Sequence, residues 1–558
     1  MLKKILTLFL VFGILVCSNG VASAALTEGE YSVKAFGYGG ELEITVKVEG
    51  DKITDIILGE HHESAEVIDR AFPVLKERIL EANSPEVDSV SAATFSSFAI
   101  KQAVADAIKQ AGGPELKIEM KSNLEKPYVD KEDLNTEILV VGGGPAGLAA
   151  AISAKQTNPE VDVTLIEKLD ILGGNGKFNL NFFGIYNSEA QKAANVEDSK
   201  EKWLESMSKS LDSPERKEVW AEGAGNVDAW LRDMGIELNH YYGNRGHMTD
   251  KDTYAGDNLL HGLENEAAKL GVTIITGTKG TDFVMDGKKV IGVSVTNNNN
   301  ESFNIFAKAT IIATGGFASN KEYLKEYAPG YEVLNTSNQI GTTGDFVKVF
   351  EKNGMKLEHM DTISVFPNIL VPERDLTNCG AGTILVNSTG KRFVNERVRD
   401  LEFGKAILEQ DVAWNVVDAK KIEDNANVRK QVKAGKWLTA DTFEELADLM
   451  KVDKANLLAT IEAYNKHAQD KTEDEFGHTP EREYLPTGPY YAHKVEAANH
   501  MTKGGLACNE KAQALYEDGS VVEGLYGAGE VTYQSAGFSQ SVIFGRIAGE
   551  NAALSIQK

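Results

Sequence analysis

The sequence predicts an α/β protein built around a parallel sheet, on three observations. Ile138-Leu139-Val140-Val141 is an apolar run that ends in Gly142-Gly143-Gly144-Pro145-Ala146-Gly147, and Leu148–Gln156 follows as a helix. A second apolar run, Val163–Ile166, ends in Glu167. A third, Ala309–Ala313, ends in Thr314-Gly315-Gly316-Phe317. Strand, glycine turn, helix and strand in that order make a βαβ unit, whose strands must be parallel.

The first glycines stand at G-x-G-x-x-G spacing. Gly142 permits the tight turn, Gly144 lets backbone approach a pyrophosphate, and Gly147 lets helix and strand pack closely, with Ala146 between them. The helix N-terminus offers unpaired N–H groups and a positive dipole end to phosphate. Glu167 lies twenty residues past Gly147, where a carboxylate can take ribose hydroxyls, and Gly173-Gly174-Asn175 follow it. This is the pattern of a dinucleotide site.

With 558 residues the chain exceeds a single core, so about two to four domains are expected. Met1–Ala24 reads as a secretory leader: Lys3-Lys4, an apolar run from Ile5 to Val16, then Ala22-Ser23-Ala24. The run is short for a bilayer span, so an exported, extracytoplasmic protein is expected. The net charge of −25 argues against nucleic acid and anionic lipid as partners. Beyond the leader only Cys379 and Cys508 remain, as a disulfide or as two thiols, and no metal or covalent haem motif is present. Electron chemistry is therefore expected to run on organic cofactors.

Residues 26–115 read as a small α+β unit. Tyr31–Ala35, Leu42–Val48 and Lys52–Leu58 alternate like strands, and Phe98–Lys109 is an amphipathic helix. Between them Asp88, Ser91, Ala93 and Thr94 occupy a segment in which Ser91 or Thr94 can cap that helix. Residues 116–134 are charged and aperiodic, as a linker is. A helix around Asp257–Leu270 then leads into a strand at Val272–Thr276, with turns at Asp286-Gly287 and Asn297–Asn300. Near the end, Gly524–Glu530 reads as a strand delivering Gly529 and Glu530, and Ser541–Leu554 as a helix.

Two resemblances rest on these residues. Asp88, Ser91, Ala93 and Thr94 match D-x-x-S-[GSA]-A-T, and residues 26–115 resemble the FMN-binding domain of exported flavoproteins. That implies FMN held covalently on Thr94 through a phosphoester, with a flavinyl transferase as partner. The rest resembles the soluble fumarate reductase flavoproteins, the group with flavocytochrome c and urocanate reductase. Carrying this are the dinucleotide motif, Ala313-Thr314-Gly315-Gly316-Phe317, Thr343-Gly344-Asp345, Gly390–Glu396, Pro489–Ala492 and Gly527–Glu530. It implies a two-dinucleotide-fold, Rossmann-like FAD domain over 135–365 and 500–558, with a clamp domain inserted at 366–499. Gly142, Gly144, Ala146, Gly147, Glu167, Gly174, Asn175, Ala313, Thr314, Gly315, Asp345, Gly529, Glu530 and Phe538 are the implied FAD contacts.

The resemblance also implies hydride transfer from the flavin to an alkene and protonation by an arginine. In Phe393-Val394-Asn395-Glu396-Arg397-Val398-Arg399-Asp400 that arginine falls on Arg399, with Arg397 the fallback. The fumarate-binding groups are absent: Phe366 and Met501 stand where the family has histidines, and Leu376 and Cys379 fall at its proton relay. The run to Phe538 lacks the carboxylate-clamping arginine. A small dianion needs several fixed cations to offset its desolvation, so a larger, less charged enoate or enone is expected. Electrons are expected from a membrane quinol or another flavoprotein. Two alternatives stay open: a dehydrogenase of CH–CH bonds with the same cofactors, suggested by Thr502-Lys503-Gly504-Gly505, and an electron carrier without a small substrate.

Overall fold

The computed structural model describes the chain apart from residues 1–24, 62, 64, 120–127, 179–182, 209, 211, 244, 250–254, 371–375, 378–380, 399, 534–536 and 557–558. The expected leader, Arg399 and Cys379 lie outside the described residues. The chain forms two compact units. One holds the described residues up to Glu63, with Leu75–Ser89 and Phe95–Ser122. The other holds Ser64–Val74, Val90–Thr94 and Asn123–Lys558.

The first unit carries a three-stranded antiparallel sheet in chain order: β1 (Gly29–Phe36), β2 (Glu41–Glu49) and β3 (Lys52–His61). On β2 the alternate residues Leu42, Ile44, Val46 and Val48 are buried, the period of a strand with one covered face. Helix α1 (Ala65–Ala82) is an element that sequence reading leaves out, because Pro73 inside it reads as a break. Helix α2 (Thr94–Gln110) begins four residues before the expected start at Phe98 and buries Ile100, Val104 and Ile108.

The second unit is built on a six-stranded sheet of β4 (Ile138–Val141), β5 (Val163–Ile166), β6 (Thr273–Ile275), β7 (Ala309–Ile312), β8 (Gln513–Leu515) and β9 (Val521–Gly527). The order is β6-β5-β4-β7-β9-β8, parallel except for the last pairing. All four residues of β4 and of β7 are buried, as strands covered on both faces must be. Helix α3 (Pro145–Thr157) packs on this sheet beside α4 (Phe538–Ile556). Their backbones come so close that a Cβ on Gly549 would lie 2.0 Å from the Ala150 carbonyl oxygen.

A second sheet joins Thr278–Asp286, Lys289–Asn297 and Glu301–Phe306 antiparallel through the two expected turns. Val129–Asp130, inside the stretch read as linker, and Leu134–Asn135 at its end add to it in parallel beside the last strand. A third sheet comes mostly from the expected clamp segment, in Ile363–Leu370, Ile384–Val386, Ala413–Asp418, Leu438–Ala440 and Tyr490–Thr502, whose first and last strands overrun its bounds, and Asn335–Thr336 from the expected FAD segment joins it. Ala413–Asp418 is buried at every residue because Val416 faces one apolar cluster and Val417 another. Strand Tyr490–Thr502 runs unbroken past residue 499 to the cavity-lining residues His500 and Met501.

Candidate active site

A cavity of about 540 Å³ opens beyond the C-terminal ends of β4, β5 and β7, where open α/β sheets bind ligands. Of the sequence-derived FAD contacts, Gly142, Gly144, Ala146, Glu167, Gly174, Asn175, Ala313, Thr314, Gly315, Asp345, Gly529, Glu530 and Phe538 all line it. Gly147 sits behind the wall. A Cβ there would meet the Gly142 carbonyl oxygen at 1.9 Å, so α3 starts against the strand at a distance only glycine permits.

The N-terminus of α3 suits phosphate. Gly144 is its N-cap and supplies no side-chain cap, while Pro145 has no N–H to offer. Glu167 is fixed by two backbone donors, the N–H of Gly143 to Oε2 and that of Leu169 to Oε1, each at 2.8 Å. Asn175 holds the opposite wall, accepting the Gln339 N–H at 2.9 Å on Oδ1 and donating to Asn338 Oδ1 at 2.5 Å. Lys168 Nζ donates to Asp345 Oδ2 at 2.6 Å, and Lys279 Nζ lies 3.0 Å from Oδ1. Although burial opposes it, this pairing, with Lys168 the stronger influence, keeps the Asp345 carboxyl below its ordinary range. Thr314 Oγ1 and Gln339 Oε1 are buried without hydrogen-bond partners, beside the cleft their residues line. Unpaired polar atoms, an open helix N-terminus and a glycine-walled cleft fit an extended dinucleotide.

At the far end Glu530 accepts from Thr502 twice on Oε1, from N–H at 2.9 Å and from Oγ1 at 3.1 Å. Burial pushes its carboxyl up to about 7 against those two bonds. Phe538 opens α4 and meets Phe183 edge to face, with ring centroids 5.6 Å apart. Beyond lie Phe366, Leu376, Thr377, Asn427, His500 and Met501. The Phe366 and His500 rings are 5.0 Å apart, and His500 Nδ1 is 2.8 Å from Ser337 Oγ. Gln431 Nε2 donates to the Leu376 carbonyl at 2.8 Å and anchors the backbone at Leu376 and Thr377.

Sequence reading missed Lys168, Tyr242, Gln339, Thr377 and Asn427 in this wall. Lys168 carries one signal, its place directly after Glu167. The others come from segments without a motif and are placed by tertiary packing. The fallback acid Arg397 is not in the wall; it pairs with Glu481 at 3.1 Å with both side chains well exposed. Glu396 is buried, accepting the Leu385 N–H at 2.8 Å and bridged by Arg392.

At the other flavin signature, Thr94 is the first residue of α2. Ser91 does not cap that helix. Within the second unit its N–H and hydroxyl both donate to Asp170 Oδ2, at 2.8 Å each. Ala92 stands at φ +69° in the tight turn, where the Ala93 N–H donates to the Val90 carbonyl at 3.1 Å. In the first unit Arg78 Nη1 donates to the carbonyl of Asp88 at 3.2 Å. Lys101, fully buried, donates to the Glu119 carbonyl at 2.7 Å. Burial lowers its ammonium pKa, with the Asp88 charge opposing.

The model of an FAD binding domain matches residues 137–541, and that of an FMN-binding domain matches 37–109. An NADH:fumarate oxidoreductase of Klebsiella pneumoniae is 30% identical over 92% of this chain, which spans 57% of that protein's length. A urocanate reductase of Eggerthella lenta is 30% identical over 96% of this chain and 94% of its own. Among solved structures, the open conformation of a flavocytochrome c3 fumarate reductase superposes with a TM-score of 0.66 at 28% identity, covering 76% of this chain and 79% of that one. With the cleft, the two flavin signatures and these likenesses in agreement, the chain belongs to the fumarate and urocanate reductase family of FAD-dependent oxidoreductases, with an FMN-binding domain ahead of its FAD domain.

Proposed function

We propose that this protein reduces the activated C=C bond of an enoate or enone that is apolar or aromatic and larger than fumarate. One observation carries the reading: beyond Glu530 and Phe538 the FAD cleft continues without a break into a space walled by Phe366, Leu376 and Met501. Bound FAD, held by the cleft residues, would supply the hydride for one alkene carbon, and bound FMN would supply electrons to it. The chain does the rest. Phe366, Met501 and Phe538 exclude water and cover an apolar substrate face. Thr377, Asn427 and His500 offer polar groups to a carbonyl or single carboxylate, whose charge in the transition state gains most from donors already in place. Arg399, which follows the buried Glu396 by three residues, delivers the proton to the second carbon. A guanidinium is effectively always charged, so it serves as an acid only when proton loss is brief and refilled.

The remaining assignments belong to the same proposal. FMN is attached to Thr94 by a flavinyl transferase after export, and electrons arrive there from a membrane quinol or a flavoprotein. Likeness to reductases of fumarate and of urocanate supports the reaction class.

The test is anaerobic reoxidation of the reduced, fully flavinylated protein by fumarate, urocanate, cinnamates and steroid-sized enones, followed by flavin absorbance. Fast reoxidation by a bulky alkene, lost in Arg399→Ala, is the expected result. Reoxidation by fumarate alone would overturn the substrate class. Exchange only with quinones or soluble flavins would overturn the reductase.

A further inference from the structure

We infer that Phe36, Tyr38 and Phe95 form the platform for the ring system of the FMN on Thr94, with Glu63 joining its two halves. The inference rests on the assignment of FMN to Thr94. Large apolar side chains left open to water are informative when they gather in one place. Phe36 is 77% exposed, Phe95 60% and Tyr38 40%. They lie on two segments distant in sequence, the end of β1 with the turn that follows it and the first turn of α2.

One carboxylate connects those segments. Glu63 is buried, its Oε1 accepting the Gly39 N–H at 2.8 Å and its Oε2 accepting the Ser96 hydroxyl. The turn is closed by the Gly37 N–H donating to the Gly40 carbonyl at 2.8 Å. A Cβ on Gly37 would lie 2.3 Å from Glu63 Oε1, so this turn runs directly against the carboxylate. A carboxylate is costly to bury unless its oxygens find donors, and here one oxygen takes its donor from the turn and the other takes its donor from the helix. Two residues before it in the chain His61, the last residue of β3 and paired with Leu42, has its Nδ1 buried without a hydrogen-bond partner.

Exposed aromatic side chains on two segments joined by one carboxylate, with an unsatisfied ring nitrogen two residues before that carboxylate in the chain, match a flat heteroaromatic ligand, which stacks through its faces and bonds through its edge. Phe95 and Ser96 directly follow Thr94, so a group tethered there by its phosphate starts at the platform. The FMN-binding match, 37–109, includes both segments. A partner protein is the weaker occupant, because a stable interface covers about 800 Å² per partner and three side chains offer a fraction of that.

The experiment uses the full flavinylated chain, with Thr94→Ala as the FAD-only baseline to subtract. Covalent FMN is read as the fluorescent band on a denaturing gel. Tyr38→Phe removes an electron-donating phenol that quenches a stacked flavin. The FMN emission should then rise about twofold or more, with the gel band unchanged. Phe36→Ala should raise iodide quenching of that emission by a similar factor, again with the band unchanged. Wild-type emission in the first variant and wild-type quenching in the second would overturn the platform. So would loss of the band in Phe36→Ala with an unaltered circular-dichroism spectrum, because the platform acts after attachment. No band in the wild-type protein would overturn the Thr94 assignment itself, and the platform with it.

Discussion

Glu530 and Thr502 are joined by two hydrogen bonds to a single oxygen, Oε1, at the far end of the FAD cleft. Burial holds the carboxyl up at about 7. The folded protein therefore binds a proton here that the unfolded chain, titrating near 4.5, releases earlier. Stability from this group is full below the unfolded value and is lost as pH rises through about 7. Denaturant titrations of the FAD-free protein at pH 5 and pH 8 should show wild type losing of order 2 kcal/mol more than Glu530→Gln. Equal losses would mean that Glu530 is ionised throughout.

Gly147 tests the dinucleotide turn. Gly147→Val places a branched side chain where the first carbon already meets the Gly142 carbonyl oxygen at 1.9 Å. Helix α3 must retreat from β4, costing about 1–3 kcal/mol. The N–H groups at its start are carried away from the phosphates. The flavin-to-protein absorbance ratio, measured after gel filtration, should drop at least tenfold in the FAD component while the FMN gel band persists.

The expected clamp segment depends on a buried ion triad. Arg392 donates to Glu396 from Nε at 3.0 Å and Nη2 at 2.8 Å, and to Asp474 from Nη1 at 2.6 Å. Despite burial, Arg392 holds the Asp474 carboxyl below its usual range. Arg392→Met strands two buried carboxylates, which costs about 3–5 kcal/mol. Hydrogen exchange should speed up in Ile384–Val386 and Ala413–Asp418 well before β4 and β7 are affected. Uniform acceleration would show that the segment does not open on its own.

Phe366 tests substrate choice. Phe366→Ala removes a ring that packs 5.0 Å from His500 and walls the cavity end. For the best bulky alkene kcat/KM should fall about 10- to 200-fold, the range of a lost apolar contact in a specificity pocket. Reoxidation by small quinones should be unchanged. A variant that loses both equally has a damaged flavin site instead.

How much of this was legible beforehand follows from range along the chain. β4, β5 and the hairpin at Asp286-Gly287 are local patterns, and their bounds match the expected ones to within a few residues. The cleft motifs are equally local, because a glycine turn, a strand-end acid and a helix start are written in consecutive residues. Helix α1 escaped notice because Pro73 is a stronger local signal than the apolar spacing around it.

The sequence by itself therefore determined the parallel α/β core, the dinucleotide turn and the two flavin signatures, since each rests on backbone geometry that neighbouring residues impose. Only tertiary structure decided which side chains share the cavity. Strand Tyr490–Thr502 brings His500 against Phe366 and sets Met501 opposite Ser364, and Lys168 reaches Asp345 across 177 positions. It also turned Ser91 from a helix cap into a donor to Asp170 and left Arg397 in solvent beside Glu481. The reason is physical: long-range neighbours are chosen by burial and packing summed over the whole core, and no short stretch of residues carries that sum.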